Sequence, residues 1–151
     1  MTIDADRDAP VFVSADIDVE ASPETVWDTL TDLDSWPGWL PDVKSMAADG
    51  PFAVGTAFTW RAGPGTIKSE VVTAERPTGA VWRGRTMGID AVHAWTMESV
   101  GPSTTHVHTE ESWSGLLPRF LRKMMFNTLK KSLDEGLPAI KAEAERRARQ
   151  Q

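Results

Sequence analysis

The chain has 151 residues, of which 40% are hydrophobic and 25% charged, and its formal net charge is -6. This length and composition predict one globular domain over residues 1–151, with residues 1–10 as a flexible tail. The acidic charge argues against general nucleic-acid binding. The chain has no cysteine, which excludes disulfides and thiolate metal ligands and agrees with a reducing compartment. Because no apolar run reaches the roughly 20 residues of a membrane span and the N-terminus lacks a signal-peptide pattern, we expect a cytoplasmic location.

Charge is distributed unevenly along the chain. Residues 1–50 hold 12 acids and 2 bases, whereas residues 51–151 hold 10 acids and 14 bases. Five cations lie in a stretch without any acid, between residues 116 and 133: Arg119, Arg122, Lys123, Lys130 and Lys131. We interpret this stretch as a solvated helix face, with contact to an anionic surface or ligand as the alternative.

The first elements are predicted to be a strand and a helix. Apolar residues at every second position from 11 to 19 predict a strand with one buried face. Ser22 suits an N-cap and Pro23 a first helical position, and apolar residues at helical spacing follow them. The segment 34–46 contains prolines and a glycine beside Trp36 and Trp39, which predicts a short helix or turn whose aromatic side chains close one end of the core.

The middle of the chain is predicted to be an antiparallel meander. From residue 52, segments separated by glycine and proline recur about every 10 to 14 residues. The expected strands are 52–53, 56–62, 67–75, 79–87, 91–100 and 105–115. The connections are short enough for hairpins.

The last part of the chain changes to helical periodicity. One apolar stripe predicts an amphipathic helix lying on the sheet: Phe126, Leu129, Leu133, Leu137, Ile140 and Ala144. A second apolar group falls nearly opposite this stripe on a continuous helix: Leu117, Phe120, Leu121, Met124 and Met125. We therefore expect a bend or break near residues 125–127, or else a dimer or membrane contact that covers this group. Pro138, beside Gly136, predicts a separate kink.

This order of elements is α+β, and several motifs resemble a known superfamily. They are Ile17-Asp18-Val19, Ala21-Ser22-Pro23-Glu24-Thr25-Val26-Trp27, Asp32, Trp36-Pro37-Gly38-Trp39-Leu40-Pro41, Pro77, Trp82, His93-Ala94-Trp95, Thr105, Glu111, Gly115 and Ala142-Glu143-Ala144-Glu145. Together they resemble the START-related SRPBCC superfamily, in its polyketide cyclase/dehydrase and lipid-transport branch. The resemblance implies a helix-grip fold, in which a curved antiparallel sheet of six to seven strands wraps around a long C-terminal helix, with two short helices after the first strand. It implies a container used for lipid carriage, ring cyclisation, hormone sensing or protein contacts.

Strand alternation predicts which side chains face this container. The inward residues of the strands form our candidate ligand-binding set, together with three residues of the closing segment: Phe58, Trp60, Ile67, Ser69, Val71, Trp82, His93, Trp95, Met97, Thr109, Glu111, Trp113, Phe120, Met124 and Met125. Because the large aromatic residues alternate with Ala80, Gly84 and Ala91, the wall should be uneven and leave a pocket. The expected ligand is hydrophobic, either lipid-like or polyketide-like.

His93 and Glu111 are the candidate catalytic residues. They lie on strands that are neighbours in sequence, point to the same face, and should approach within hydrogen-bond reach. Such a pair suits proton transfer in a cyclase or dehydratase. The alternative is that the two side chains only satisfy each other within the wall.

Other cofactor and metal motifs are not evident. His106 and His108 lie two residues apart on the outward face, but no third ligand is evident, so we expect no metal. The turn at Gly63-Pro64-Gly65 lacks the spacing and lysine of a phosphate loop, and we expect no cofactor.

The rim segment, residues 116–126, begins at Leu116 and ends at Phe126 and mixes apolar groups with cations. Three interpretations remain open for it. It packs the rim of the core, its methionines gate the pocket, or it makes transient contact with an anionic membrane or another protein. Both a monomer and a homodimer are compatible with the sequence.

Overall fold

The computed structural model describes residues 5–151. The predicted flexible tail therefore lies in part, at residues 1–4, outside the described residues. From Ala5 onward the chain lies against the outer face of the sheet, where the backbone N–H of Asp6 donates to Ser112 Oγ (3.1 Å). The guanidinium of Arg7 pairs with Glu110 at 2.7 Å. Residues 5–10 are thus held by specific contacts.

Seven antiparallel strands form one sheet. Their bounds are β1 Val11–Val19, β2 Val43–Ala48, β3 Ala57–Ala62, β4 Gly65–Glu75, β5 Gly79–Thr86, β6 Ile89–Gly101 and β7 Thr104–Ser114. The strand order is β1-β7-β6-β5-β4-β3-β2, so β2 to β7 form the predicted meander and β1 joins it at the far side of β7. The predictions for β1 and for β3 to β7 are confirmed within one to two residues.

The prediction for the first strand of the meander is wrong. Residues 52–53 are not in a strand, and the edge strand is β2, in a segment that we expected to be helix or turn. Only its first residue, Val43, is buried, and it pairs on one side with β3. A strand with so little burial carries almost no alternating pattern, because nothing selects apolar residues at every second position.

Two short helices follow β1, as expected. They are α1 Pro23–Thr31 and α2 Trp36–Trp39, with one 3-10 turn at Leu33–Ser35 between them. Ser22 caps α1 by accepting a hydrogen bond from the backbone N–H of Thr25 (3.1 Å). Trp36 is fully buried and donates its indole N–H to the Leu30 carbonyl (2.9 Å), which confirms that this segment closes one end of the core.

The C-terminal helical region consists of α3 Leu116–Phe120 and the long α4 Arg122–Arg149. The break lies at Leu121 (φ -120°, ψ 43°), so the predicted bend near residues 125–127 is wrong. Helix α4 continues through Pro138 without a break.

The buried stripe of α4 differs from the prediction at its first position. Met125 is 9% exposed and begins the stripe, whereas Phe126 is 41% exposed. The remaining members are confirmed as buried: Leu129, Leu133, Leu137, Ile140 and Ala144. Spacing alone could not decide between two adjacent apolar residues at a helix start, because the break at Leu121 sets the rotation of α4.

The sheet and α4 enclose the core, with α1 packed between them. This arrangement confirms the predicted α+β helix-grip fold. Among the helices of residues 5–151, none combines the length and apolarity needed to cross a bilayer.

Candidate functional site

A cavity of about 510 Å³ lies between the inner face of the sheet and α4. Its size falls in the range of small-molecule sites. The sheet contributes residues from β3 to β7, while α4 contributes the face that carries Leu133, Leu137 and Ile140. Most of these side chains are apolar.

A row of small residues gives the cavity its depth. The register places Ser69 opposite Gly84 and Gly84 opposite Ala91, so three adjacent strands present small groups side by side. A Cβ atom on Gly84 would lie 2.8 Å from Ser69 Oγ and 3.0 Å from Ile67 Cγ2. The predicted uneven wall is confirmed at Gly84 and Ala91, whereas Ala80 is fully buried away from the cavity.

Tryptophans form the aromatic part of the lining. The four strand residues Trp60, Trp82, Trp95 and Trp113 all line the cavity. Trp36 joins them, with its ring centroid 5.2 Å from that of Trp60 and 5.4 Å from that of Trp82. These contacts between rings hold the wall in place, since aromatic pairs at such distances attract each other beyond simple burial.

A hydrogen-bonded polar cluster interrupts this apolar lining. His93 lies directly opposite Glu111, and its Nδ1 is 3.0 Å from Glu111 Oε1, which confirms that the two face each other within hydrogen-bond reach. Glu111 Oε2 accepts a hydrogen bond from the indole N–H of Trp113 (2.8 Å). His93 Nε2 is 2.8 Å from Thr109 Oγ1, and the Thr109 hydroxyl donates to the Ala94 carbonyl (3.0 Å).

These contacts determine the arrangement of protons. Because the single hydrogen of the Thr109 hydroxyl is used toward Ala94, Thr109 Oγ1 accepts from His93, and His93 Nε2 carries a hydrogen. His93 Nδ1 lies 3.0 Å from Glu111 Oε1, a distance at which one further proton would bond the two groups. Both nitrogens of His93 are held by protein partners, so Glu111 is the member of the pair with spare acceptor capacity toward the cavity.

The other predicted ligand-binding residues separate into three groups. Phe58, Val71, Met97 and Thr109 are buried in the core and do not line the cavity. Phe120 and Met124 are 77% and 52% exposed, outside the cavity lining. The following predicted residues line it: Trp60, Ile67, Ser69, Trp82, His93, Trp95, Glu111, Trp113 and Met125.

Sequence reasoning missed three regions of the lining. They are residues 39–42 with Val43 at the start of β2, the hairpin turns after β3 and β5, and the polar side of the α4 face at Thr128, Lys131, Ser132 and Glu135. Turn residues have no periodicity that could reveal them. The rotation of α4 about its axis determines which of its polar residues face the cavity, and the apolar stripe indicated that rotation only approximately.

A second polar cluster lies on the outer face of the sheet. His106 bonds Asp18 (2.7 Å) and Asp16 (2.9 Å), and His108 bonds Glu110 (2.8 Å) and Asp16 (2.8 Å). The bond to Asp18 raises the pKa of His106, and the bond to Glu110 raises the pKa of His108. The bond from His106 lowers the pKa of Asp16. Within residues 5–151 no group of histidine and acidic side chains has the geometry to hold a metal ion.

Comparisons with known proteins agree with this architecture. A hypothetical protein from Helicobacter pylori is 20% identical, with a TM-score of 0.80 over 95% of this chain and 98% of its own. The ZhuI aromatase/cyclase from a Streptomyces species is 16% identical, with a TM-score of 0.79 over 90% and 94%. A START superfamily protein from Mycobacterium smegmatis is 17% identical, with a TM-score of 0.66 over 92% and 97%. At these identities the similarity shows the fold.

The family assignment comes from the sequence itself. A search of curated proteins found no match. However, the family model described as polyketide cyclase / dehydrase and lipid transport matches residues 10–145. The chain therefore belongs to the polyketide cyclase/dehydrase and lipid transport family.

Proposed function

We propose that this protein binds an uncharged, mainly apolar small molecule that carries a hydroxyl group, in the cavity between the sheet and α4. The observation that carries the proposal is a cavity of about 510 Å³ whose aromatic wall contains a half-buried carboxyl group, Glu111. The wall excludes water from an apolar ligand. The carboxyl group then fixes the orientation of one polar end.

We infer the hydroxyl group of the ligand from the hydrogen-bonding capacity that remains free on Glu111 and His93. Glu111 Oε2 accepts one protein hydrogen bond and Oε1 lies 3.0 Å from His93 Nδ1, and each carboxylate oxygen has a further lone pair for a ligand. His93 has no free nitrogen to offer, because both its nitrogens have protein partners. The polar cluster therefore presents acceptors to the ligand, and the matching group is a donor such as a phenol or alcohol.

Charge around the cavity disfavours an anionic ligand. The ionisable residues of the lining, besides His93, are three acids, Asp42, Glu111 and Glu135, and one base, Lys131. Lys131 is already 3.9 Å from Glu135. A ligand carboxylate in place of the hydroxyl group would set acceptor against acceptor at Glu111 and would lose its own hydration, which is unfavourable.

Titration calorimetry with three tricyclic probes tests the proposal. 2-Hydroxyanthracene should bind roughly tenfold more tightly than its methyl ether, because only the phenol donates a hydrogen bond to Glu111. 2-Anthracenecarboxylate should bind more weakly than the methyl ether. Equal affinities for all three probes would contradict the proposed polar recognition.

A pair of matched variants tests the location of the site. Ala91→Leu places a larger side chain in the cavity, whereas Ala94→Leu makes the same change on the opposite face of β6. Affinity for the phenol should fall strongly in Ala91→Leu and stay unchanged in Ala94→Leu. If the ligand binds elsewhere, neither substitution will change its affinity.

A proton-transfer enzyme of the cyclase or dehydratase type is the second candidate function. The observation that favours it is the 3.0 Å approach of His93 Nδ1 to Glu111 Oε1 beside the cavity. In such an enzyme Glu111 would exchange a proton with the substrate while His93 supplies or stores it. Glu111→Gln should then abolish turnover but keep binding, whereas a carrier has no turnover to lose.

A further inference from the structure

A patch of exposed apolar side chains lies next to the cavity. Among residues 5–151, eight large hydrophobic side chains are exposed, and five of them lie in the rim segment: Leu116, Phe120, Leu121, Met124 and Phe126. Leu116 is 71% and Phe120 77% exposed, and their spacing of four residues puts them on one side of α3. We call these five residues together with Arg119, Arg122 and Lys123 the docking surface.

The cations of the docking surface are free of ion pairs. Lys130 and Lys131, further along α4, have Asp134 and Glu135 as partners. Within the part of the chain that the structure describes, no salt bridge involves Arg119, Arg122 or Lys123. Three unpaired positive charges thus stand among the apolar side chains of a protein whose net charge is -6.

The docking surface adjoins the cavity. Leu117 of α3 and Met125 of α4 line the cavity, although Leu116 and Met124, directly before them in the chain, are exposed. The turn between β5 and β6 lies next to α3, since a Cβ on Gly88 would be 3.8 Å from Leu117 Cβ. From this turn Met87, also exposed, lines the cavity.

We propose that the docking surface binds an anionic lipid bilayer, with the cavity mouth beside the membrane. Arg119, Arg122 and Lys123 would contact the headgroups, while Leu116 and Phe120 enter the acyl boundary. An interface of this kind accepts cations and apolar groups side by side, and each cation near an anionic surface strengthens the binding.

A second copy of this chain fits the surface less well. A two-fold dimer would place the same patch against itself, so three unpaired cations of one protomer would face three of the other. Such like-charge contacts are unfavourable. An acidic protein partner would satisfy the cations and is an outcome of the experiment below.

Co-sedimentation with phosphatidylcholine vesicles, with and without phosphatidylserine, tests the proposal. The protein should sediment with the anionic vesicles and stay in solution with the neutral ones. The double variant Arg122→Glu with Lys123→Glu should lose at least about tenfold in partitioning. Its matched control, Lys68→Glu with Arg83→Glu, makes the same charge change on exposed strand positions and should bind like the unmodified protein.

The apolar contribution has its own variant pair. Phe120→Asp should also lose binding to anionic vesicles, whereas Val54→Asp, at an exposed valine far along the sequence, should not. Full binding by Phe120→Asp would overturn the proposal, as would failure of the unmodified protein to bind anionic vesicles. Capture of a dimer in solution or of an acidic protein through this surface, without vesicle binding, would overturn it as well.

This result is separable from the proposed ligand binding. The variants of the docking surface should keep their affinity for 2-hydroxyanthracene, and Ala91→Leu should still sediment with anionic vesicles. Each proposal can therefore fail while the other holds.

Discussion

At the scale of single residues, the stability of the polar cluster depends on which atoms donate and which accept hydrogen bonds. The cluster consists of His93, Glu111, Trp113 and Thr109. We predict that Glu111→Gln changes the free energy of unfolding by no more than about 1 kcal/mol. The glutamine amide can donate to His93 Nδ1 while its carbonyl accepts from Trp113, so every bond of the cluster is retained with a neutral imidazole. Glu111→Ala instead leaves the part-buried Trp113 indole N–H and His93 Nδ1 without partners and should cost about 1 to 3 kcal/mol. Urea denaturation measures both changes.

Nitrogen NMR of the histidine ring provides the complementary readout. In Glu111→Gln, the neutral His93 ring should carry its hydrogen on Nε2. A variant that shows the proton on Nδ1 instead would contradict the direction that we assign to the Thr109 hydrogen bond.

At the scale of elements, the rotation of α4 determines which of two neighbouring apolar residues stabilises the protein. Met125 packs in a core cluster with Leu129 and Leu133, whereas Phe126 is exposed. We predict that Met125→Ala lowers the free energy of unfolding by about 2 to 3 kcal/mol and that Phe126→Ala lowers it by less than about 1 kcal/mol. Chemical denaturation of the two variants gives the comparison. A larger loss for the phenylalanine would mean that α4 is rotated relative to the structure described.

At the scale of the whole molecule, the outer-face cluster makes stability depend on pH. The pKa values of His106 and His108 are raised in the fold by Asp18 and Glu110, so their contribution is complete below about pH 6.5 and is lost as pH rises through the raised values. Arg146 lowers the pKa of Glu143 to about 2, so that contribution is present above about pH 4.3 and is lost as pH falls toward 2. Stability should therefore be highest in mildly acidic solution.

Urea midpoints measured from about pH 5 to about pH 9 test this dependence. The unmodified protein should lose stability above neutrality, because the histidines release their protons in the folded state. In the double variant His106→Gln with His108→Gln this decline should be much smaller. An equally steep decline in both proteins would show that other groups cause it.

The sequence by itself determined the elements that carry strong periodicity and the faces they bury. Alternation placed Trp60, Trp82, His93 and Glu111 on the inner face of the sheet, because a buried face selects apolar or paired residues at every second position. The motifs near Ser22 and the long apolar stripe of the last helix likewise identified the family and the helix-grip fold. These signals are local, so one sequence suffices to detect them.

Only the tertiary structure decided which inward residues meet the cavity. Phe58 and Met97 share the inner face with Trp60 and Trp95. Phe58 and Met97 pack in the core cluster with residues of α1, α2 and α4, whereas Trp60 and Trp95 lie beside the cavity. The same holds at the rim, where the break at Leu121 and not the apolar pattern sets the rotation of α4 and leaves Phe120 in solvent. The physical reason is that periodicity reports the side to which a residue points, whereas a cavity depends on the distance between packed layers. That distance is set by contacts between segments far apart in the chain.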